Sequence, residues 1–251
     1  MNPINIIACT GTLFLVGCAG PAGWSNADGG SIPISARSEG PALKGVSHDV
    51  RAVWHGSRGL DSARWPAVQP LVKEDLSNVE FKPGTWTWRD GVLVGKGGHL
   101  WSKENYGNFV LSLDFRCEQG ANSGILLRCS DTAAWRETAI EVQILQGETP
   151  NDKDMNGAIV NCVAPVRQIR ITPGEWYNYV IVAKGANLTV YLNHEEITKM
   201  NLNQWTHAGK NPDGTPNKFK TAYKDMARVG RIGLQYHGSS VAFRNLWIEP
   251  L

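Results

Sequence analysis

The amino-acid sequence predicts an all-β protein built as a sandwich of two antiparallel sheets. About a dozen short segments of strand character follow one another at nearly regular spacing, with turn residues between them. The clearest alternation covers residues 109–116, where Phe109, Leu111, Leu113 and Phe115 share one face and polar residues occupy most of the other. No stretch of about ten residues has a convincing amphipathic helical pattern. These observations together favour sheets over helices.

The first residues of the chain have the pattern of a secretion signal. Residues 6–16 are apolar but too few to span a bilayer, and they lead to Leu15-Val16-Gly17-Cys18. This ending resembles the lipobox of bacterial lipoproteins, although MNPIN lacks the usual Lys or Arg. We interpret residues 1–18 as a signal peptide that ends at a lipidated Cys18, with a chance cysteine as the alternative. The lipid would attach the protein to the bacterial cell envelope, on its periplasmic or outer surface.

The remaining chain divides into three parts. Residues 19–46 are rich in Gly, Ser, Ala and Pro, which indicates a flexible tether. Residues 47–80 form an unassigned lead-in with a short helix suggested near residues 73–76. Residues 81–251 carry the strand pattern, with hairpin turns expected at Asp90-Gly91 and around Asn193-His194. The polar stretch 200–226 is long for a loop, and such loops are often functional.

Composition limits the partners of the protein. The net charge of +2 gives no strong attraction to nucleic acid, so none is expected as a partner. Ten tryptophans are many for 251 residues, and some of these rings belong to a core while others stack on ligands. Trp135, Trp205 and Tyr236 are the aromatic residues that we consider as stacking surfaces for a ligand such as a sugar or a peptide.

Three cysteines remain once Cys9 and Cys18 are set aside, so they cannot all pair within the chain. Cys117 and Cys129 either form a bridge between adjacent strands or, like Cys162, stay as small buried thiols. No CxxC motif or Cys/His cluster has the spacing of a zinc site.

One acidic stretch partly matches a calcium loop. Asp152, Asp154, Asn156 and Gly157 fit the opening of an EF-hand loop. The twelfth position is Val163 and supplies no carboxylate. We therefore favour an ordinary turn rich in Asp and Asn, with a shallow calcium site as the alternative.

The chemistry centres on residues 122–146, which we interpret as two strands joined by a polar loop. In the second strand Glu141 and Gln143 alternate with apolar residues, so both point away from the oily face. Arg128 on the first strand is expected on the same polar surface. The alternatives are the solvated side of an antiparallel sheet and a simple cross-strand ion pair.

Several segments together resemble a known family, the 3-keto-disaccharide or 3-keto-glycoside hydrolase domain. They are LWSKENYGNFVLSLDFRC, GANSGILLRC, IEVQIL, GAIVNCVAP, PGEWYNYVIVAKGANLTVYLN and RIGLQYHGSSVAFRNLWIEPL, in the family's order over about residues 81–251. The resemblance implies a concanavalin-like, or jelly-roll, sandwich that binds sugars on the concave face of one sheet. It also implies a glycoside substrate oxidised to a ketone at C3.

Such a ketone acidifies the C2 hydrogen, so a base can remove it and the C1 substituent leaves by β-elimination. Hydration then completes a net hydrolysis of the glycosidic bond, which differs from the two-carboxylate glycosidase route. We expect Glu141 or His237 to be the base and the other to be the acid or a ligand of a divalent metal. Arg128 is expected to stabilise the enolate or to hold the ketone.

The expected substrate-binding residues complete the prediction. Gln143 and Gln235 are expected to position sugar hydroxyls, and the remaining candidates are Asn122, Asp114 and Lys103. No cofactor is required by the sequence, and Glu141 with His237 is the candidate pair for a divalent metal. The rival hypothesis is a non-catalytic, lectin-like carbohydrate-binding module, because this scaffold hosts both classes. An enzyme should bring Glu141, Arg128 and His237 together in one pocket, whereas a module should disperse them along a flat aromatic strip.

Overall fold

A computed structural model describes residues 67–251 of the chain. The predicted signal peptide, the lipidation site Cys18, the tether and residues 47–66 lie outside the described residues. Within 67–251, no helix is both long enough and apolar enough to cross a membrane.

Within residues 67–251, thirteen strands form two antiparallel sheets, which confirms the predicted all-β sandwich. The large sheet has the order β11-β10-β9-β6-β13-β4-β3, with β1 paired to β13, and the small sheet has the order β2-β5-β12-β7-β8. The strands are β1 Gln69–Pro70, β2 Val79–Glu80, β3 Trp86–Arg89, β4 Val92–Gly95, β5 Leu100–Tyr106, β6 Phe109–Cys117, β7 Asn122–Cys129, β8 Ile140–Leu145, β9 Tyr177–Lys184, β10 Asn187–Leu192, β11 Glu195–Asn201, β12 Gly230–Leu234 and β13 Val241–Pro250.

The core lies between the two sheets and follows the period of two in the sequence. The four apolar side chains of β6 that alternate with polar ones are fully buried, and so are Val142 and Ile144 of β8. The Tyr179 hydroxyl on β9 donates to the backbone carbonyl of Gln143 at 2.8 Å, which ties the sheets together through the core. The alternation therefore fixes which face of each strand is left for polar side chains.

Both predicted hairpins are confirmed. Asp90 and Gly91 have φ values of 52° and 76°, and Asn193 and His194 have φ values of 47° and 72°. Two consecutive residues with positive φ form the turn type whose twist matches paired antiparallel strands. Short polar residues and glycine tolerate this conformation best.

The predicted short helix near residues 73–76 is wrong. The segment is a turn, in which the Leu76 amide donates to the Lys73 carbonyl at 2.9 Å and Leu76 has a φ of 57°. The strands on either side, β1 and β2, pair with β13 and β5. A four-residue helix, α1, covers Trp135–Thr138 in the loop between β7 and β8.

The long polar stretch after β11 is anchored in the core. Trp205, Phe219, Tyr223 and Met226 from this loop are all buried against the main apolar cluster. The Trp205 indole donates to Asn211 Oδ1 at 2.8 Å inside the loop, so this ring serves packing instead of ligand stacking. Because four side chains hold the loop down, the rest of it can present polar groups at fixed positions.

The three described cysteines are free and buried, so of the two alternatives the small buried thiols are confirmed and the bridge between Cys117 and Cys129 is not formed. The reason is topological, since Cys117 ends β6 of the large sheet and Cys129 ends β7 of the small sheet. Burial raises the pKa of Cys117 and of Cys162 to about 12. Thiols with such a pKa are inert packing groups at neutral pH.

The acidic stretch near residue 152 forms a short 3₁₀ turn over Asp152–Asp154. The Asn151 side chain accepts from the Lys153 amide at 3.1 Å, and Asp154 accepts from the side-chain amides of Asn151 and Asn161 at 2.7 and 3.0 Å. Asn156 is turned away, toward the backbone of Leu145. The predicted turn is present, and its polar atoms are used to hold local structure.

Candidate active site

The outer face of the small sheet carries the carboxylate of Glu141, whose hydrogen bond to Gln235 crosses an intervening strand. Glu141 lies on β8, Gln235 follows β12, and β7 runs between these two strands. Gln235 Nε2 donates to Glu141 Oε1 at 2.8 Å, above Gly124 of β7. A Cβ at Gly124 would lie 2.9 Å from that same oxygen, so a side chain at this position would displace the carboxylate. The Glu141 carboxylate is therefore fixed by backbone register and by one specific glycine.

A cation completes this group. Lys218 Nζ lies 3.4 Å from Glu141 Oε2, and its side chain is one-third exposed. Lys218 comes from the long loop after β11, beside the buried Phe219. One oxygen of the carboxylate thus contacts an amide and the other an ammonium. This places a positive charge where a negative oxygen of a bound molecule would be stabilised.

A cleft of about 470 Å³ opens over this group. It is lined by the predicted residues Asn122, Glu141, Gln143, Gln235 and His237. Gln143 Oε1 is buried and accepts no hydrogen bond from the described residues. A buried acceptor of this kind calls for a donor from a ligand or a water, and a sugar hydroxyl is such a donor. The volume is in the range of small-molecule sites.

One wall of the cleft is aromatic. Trp135 of α1 lines it, with the guanidinium of Arg136 at 4.8 Å from the ring centroid. The imidazole of His99 packs edge-on against Trp135, with 4.6 Å between ring centroids and an interplanar angle of 79°. Burial lowers the pKa of His99, and the neighbouring charges of Arg136 and His237 lower it further. Of the three aromatic residues considered from the sequence, Trp135 lines the cleft. Trp205 belongs to the core, and Tyr236 is partly buried and packs against the core.

The predicted placement of Arg128 on this polar surface is wrong. Cys129 pairs with Arg231 and Leu126 with Gly233, so three residues of β7 advance for two of β12. This β-bulge gives Arg128 a φ of 50° and turns its side chain inward. Its guanidinium donates to the carbonyl oxygens of Gly107 and Gly185, both at 2.8 Å. Burial lowers the pKa of Arg128 to about 10, which still leaves it charged at neutral pH.

Asp114 and Lys103 are also not brought to the cleft. Asp114 lies on β6 of the large sheet, where it accepts from the side-chain amides of Asn178 and Asn245 at 2.9 and 2.8 Å. The whole core therefore separates Asp114 from Glu141. Lys103 lies on β5 of the small sheet and donates to the carbonyl of Ser77 at 2.7 Å.

The donor set offers little to a metal ion. Among residues 67–251, no group of three or more His, Cys, Asp or Glu side chains is arranged to hold one. The two carboxylate oxygens of Glu141 already contact Gln235 and the positively charged Lys218. An ammonium beside a carboxylate competes with a cation for the same oxygens.

Sequence reasoning missed several residues of the site, among them Arg136 and Lys218, which line the cleft, and His99, which packs against Trp135. Lys218 comes from an irregular loop, and Arg136 lies in a connection between strands, so neither has a periodic pattern that points to a face of the sheet. The one available signal was the length of the polar stretch 200–226, which indicated a functional loop without selecting a residue.

An antiparallel sandwich with an acid-centred polar cleft on one sheet belongs to the jelly-roll class, which includes many carbohydrate-handling proteins. The model of the 3-keto-alpha-glucoside-1,2-lyase-like domain matches residues 54–249. Because this match covers most of the chain, the protein belongs to that family.

Individual relatives agree with the family. A 3-keto-disaccharide hydrolase from Bacteroides thetaiotaomicron is 24% identical over 206 residues, which cover 67% of this chain and 71% of the relative. A crystal structure described as a candidate glycosyl hydrolase from Parabacteroides distasonis is 32% identical, with a TM-score of 0.70, and covers 73% of this chain and 99% of that one. A second such structure from the same organism is 22% identical with a TM-score of 0.65, covers 76% of this chain and 97% of that one, and supports the fold. The family and its relatives indicate a glycoside-acting enzyme.

Proposed function

We propose that the protein cleaves the glycosidic bond of 3-keto-glycosides by elimination followed by hydration. The observation that carries the proposal is the Glu141 carboxylate, 6% exposed at the base of a polar cleft, with Gln235 on one oxygen and Lys218 on the other. The name of the Bacteroides relative and the family model support the choice of a 3-keto substrate.

The first step takes the C2 proton of the substrate. Glu141 accepts this proton, and the electron pair of the C–H bond forms an enolate with the C3 ketone. The Lys218 ammonium stands beside Glu141 and stabilises the negative charge that develops on the ketone oxygen. This task was expected of Arg128 from the sequence, and in this proposal Lys218, a cation from a loop, takes it instead.

The second step breaks the C1–O bond. The enolate electrons return to form the C1=C2 double bond, and the leaving oxygen takes a proton from His237 on the wall of the cleft. In the hydration, the hydroxyl of a water adds to C1, the remaining proton of that water returns to His237, and Glu141 gives its proton back to C2. The sum is one 3-keto-glycoside and one water converted to a 3-keto sugar and a free alcohol or sugar.

The substrate is held by groups that do not transfer protons. Gln143 Oε1 is a free buried acceptor for a hydroxyl, and Asn122 lies on the same outer face at the start of β7. Trp135 offers an apolar surface to the ring of a sugar. These contacts support binding of a neutral carbohydrate with its C2 hydrogen toward Glu141.

The test measures proton abstraction directly. Glu141→Gln keeps the shape of the side chain and removes its basicity, so we expect deuterium incorporation at C2 of a 3-keto-glucoside in D₂O to fall by roughly 10²–10⁴-fold. Release of the C1 substituent should fall by the same factor. Glu195→Gln is the matched control, because Glu195 is an exposed carboxylate on β11 that pairs with Arg167. Unchanged exchange in the Glu141 variant would overturn the assignment.

The rival hypothesis is a carbohydrate-binding module. Such a module would be expected to carry its polar groups along a flat aromatic strip. Arg128, which was expected in that pocket, lies outside the cleft, but Glu141 and His237 line it together with a different cation, Lys218, which favours an enzyme. The two classes separate in one assay, because a module binds a 3-keto-glucoside without exchanging its C2 hydrogen.

A further inference from the structure

A second cavity adjoins the cleft, and we call it the side pocket. It has a volume of about 180 Å³. Leu145, Glu148 and Thr149 line both the side pocket and the cleft, so the segment from Gly147 to Thr149 stands between the two spaces. A molecule in the cleft therefore reaches the side pocket by passing over this segment.

The side pocket lies well beyond the proposed base. Glu141, Gln143 and Leu145 are successive outward positions of β8, and the wall of the side pocket begins at Leu145. Four residues of extended strand span roughly 13 Å. This separation exceeds the length of one pyranose ring. The side pocket is thus placed for a part of the substrate beyond the rings that flank the scissile bond.

The base of the side pocket is built by a buried side chain. Asn156 is 3% exposed, and its Nδ2 donates to the carbonyls of Leu145 and Ile169 at 2.6 and 3.0 Å. Its Oδ1 accepts from the Leu145 amide at 2.7 Å. Because three hydrogen bonds join the end of β8 to the loop that carries Ile169, the two walls keep a fixed separation.

The lining suits a neutral sugar. Met155 and Ile169 give apolar surface, while Thr149 and Gln168 supply hydrogen-bonding groups. The charges at the mouth cancel, since Arg170 Nη2 lies 2.8 Å from Glu148 Oε1 and both side chains are largely exposed. A pyranose ring likewise combines an apolar face with a rim of hydroxyls.

We propose that the side pocket is a binding subsite for a further neutral sugar ring, so that the preferred substrate is an oligosaccharide longer than a disaccharide. The proposal rests on the proposed function, in which the 3-keto ring lies over Glu141. It adds a site and a chain length that the reaction itself does not require.

Filling the side pocket tests the proposal. We expect the wild-type protein to have a kcat/KM about tenfold higher for a glucose trisaccharide oxidised at C3 of its terminal ring than for methyl 3-keto-glucoside. Gln168 is exposed and lines the side pocket, so Gln168→Trp should remove this advantage and leave the methyl glycoside unaffected. Val166→Trp is the control, because Val166 is 79% exposed on the same loop and does not line the side pocket.

Two results overturn the proposal. One is equal kcat/KM for the short and long substrates in the wild-type protein, and the other is a ratio that Gln168→Trp does not change. Failure of the proposed function looks different, because neither substrate is then turned over. In that case calorimetric titration with the unoxidised trisaccharide and with methyl glucoside still tests the subsite, because it measures binding without turnover. Affinity that rises with length and falls in Gln168→Trp supports the subsite, and affinity independent of length refutes it.

Discussion

The position of the Glu141 carboxylate depends on Gly124, which has no side chain. Gly124 leaves room for the hydrogen bond between Glu141 and Gln235, which crosses β7 from β8 to β12. Alternation along β8 was sufficient to predict that Glu141 and Gln143 share a face, because β8 pairs with β7 without a bulge and its side chains alternate regularly. The role of Gly124 was not predictable, because it depends on which strands lie on either side of β7.

Substituting this glycine should disturb catalysis more than folding. In Gly124→Ala the new Cβ would lie 2.9 Å from Glu141 Oε1 and 3.2 Å from the Val142 carbonyl, so the carboxylate must move. We expect C2 exchange to fall by on the order of 100-fold, since small displacements of a catalytic group have such effects. Gly97→Ala is the control, with its nearest contact 3.3 Å away on the Thr85 side chain. Equal activity of the two variants would contradict the geometry.

His99 makes the stability of the protein depend on pH. Burial lowers its pKa in the folded state below the ordinary value of 6.5. The unfolded chain therefore binds a proton that the folded protein does not, and the stability from this site is lost as pH falls below about 6.5. We expect the melting temperature to drop less between pH 7.5 and 5.5 in His99→Phe than in the wild-type protein. His207→Phe, at an exposed loop position, should keep the wild-type dependence.

At the level of elements, the bulge in β7 determines the direction in which the Arg128 side chain points. Strict alternation placed this side chain beside Glu141, and one inserted residue sends it to the opposite side of the sheet. Sequence patterns do not reveal such a bulge, because an extra residue changes the pairing without changing the composition of the strand. The guanidinium instead joins the β5–β6 turn at Gly107 to the β9–β10 turn at Gly185.

Arg128 should therefore matter for stability and not for chemistry. Arg128→Met leaves the carbonyls of Gly107 and Gly185 without this donor, and we expect roughly 2–5 kcal/mol of lost unfolding free energy in urea denaturation. The rate per folded molecule should be unchanged at a temperature where the variant is folded. Arg89→Met is the comparison, since that side chain is 89% exposed. A catalytic Arg128 would instead lower the rate and leave the denaturation midpoint nearly unmoved.

Over the whole molecule, the two sheets present outer faces with different tasks. The face of the small sheet carries the cleft, whereas Asp114 on the large sheet binds Asn178, Asn245 and Arg244. The sequence showed that β6 has a polar side, and hairpin signals predicted local pairs of strands. The sheet to which β6 belongs depends on pairing with β9 and β13, which are far away in the chain. This explains why Asp114 was grouped with the wrong face.

Asp114→Asn tests this separation of faces. The substitution weakens a charged contact with Arg244 Nε at 3.2 Å, which is partly exposed, so about 1 kcal/mol is expected. The melting temperature should fall by roughly 2–4 °C for a domain of this size. Turnover of a 3-keto-glucoside should stay within about twofold of the wild-type value. A loss of turnover like that of Glu141→Gln would show that the faces are not independent.

The bond between Glu141 and Gln235 has a further consequence for protein engineering. Glu141, Gln235 and Gly124 lie on or directly after neighbouring strands of one sheet. Lys218, Trp135 and the segment from Gly147 to Thr149 belong instead to the loops that connect strands. Grafting of loops can therefore change the shape of the cleft while the Glu141 carboxylate keeps its alignment. Insertions in these loops would change which substrate fits the cleft and leave the strands that hold Glu141 unchanged.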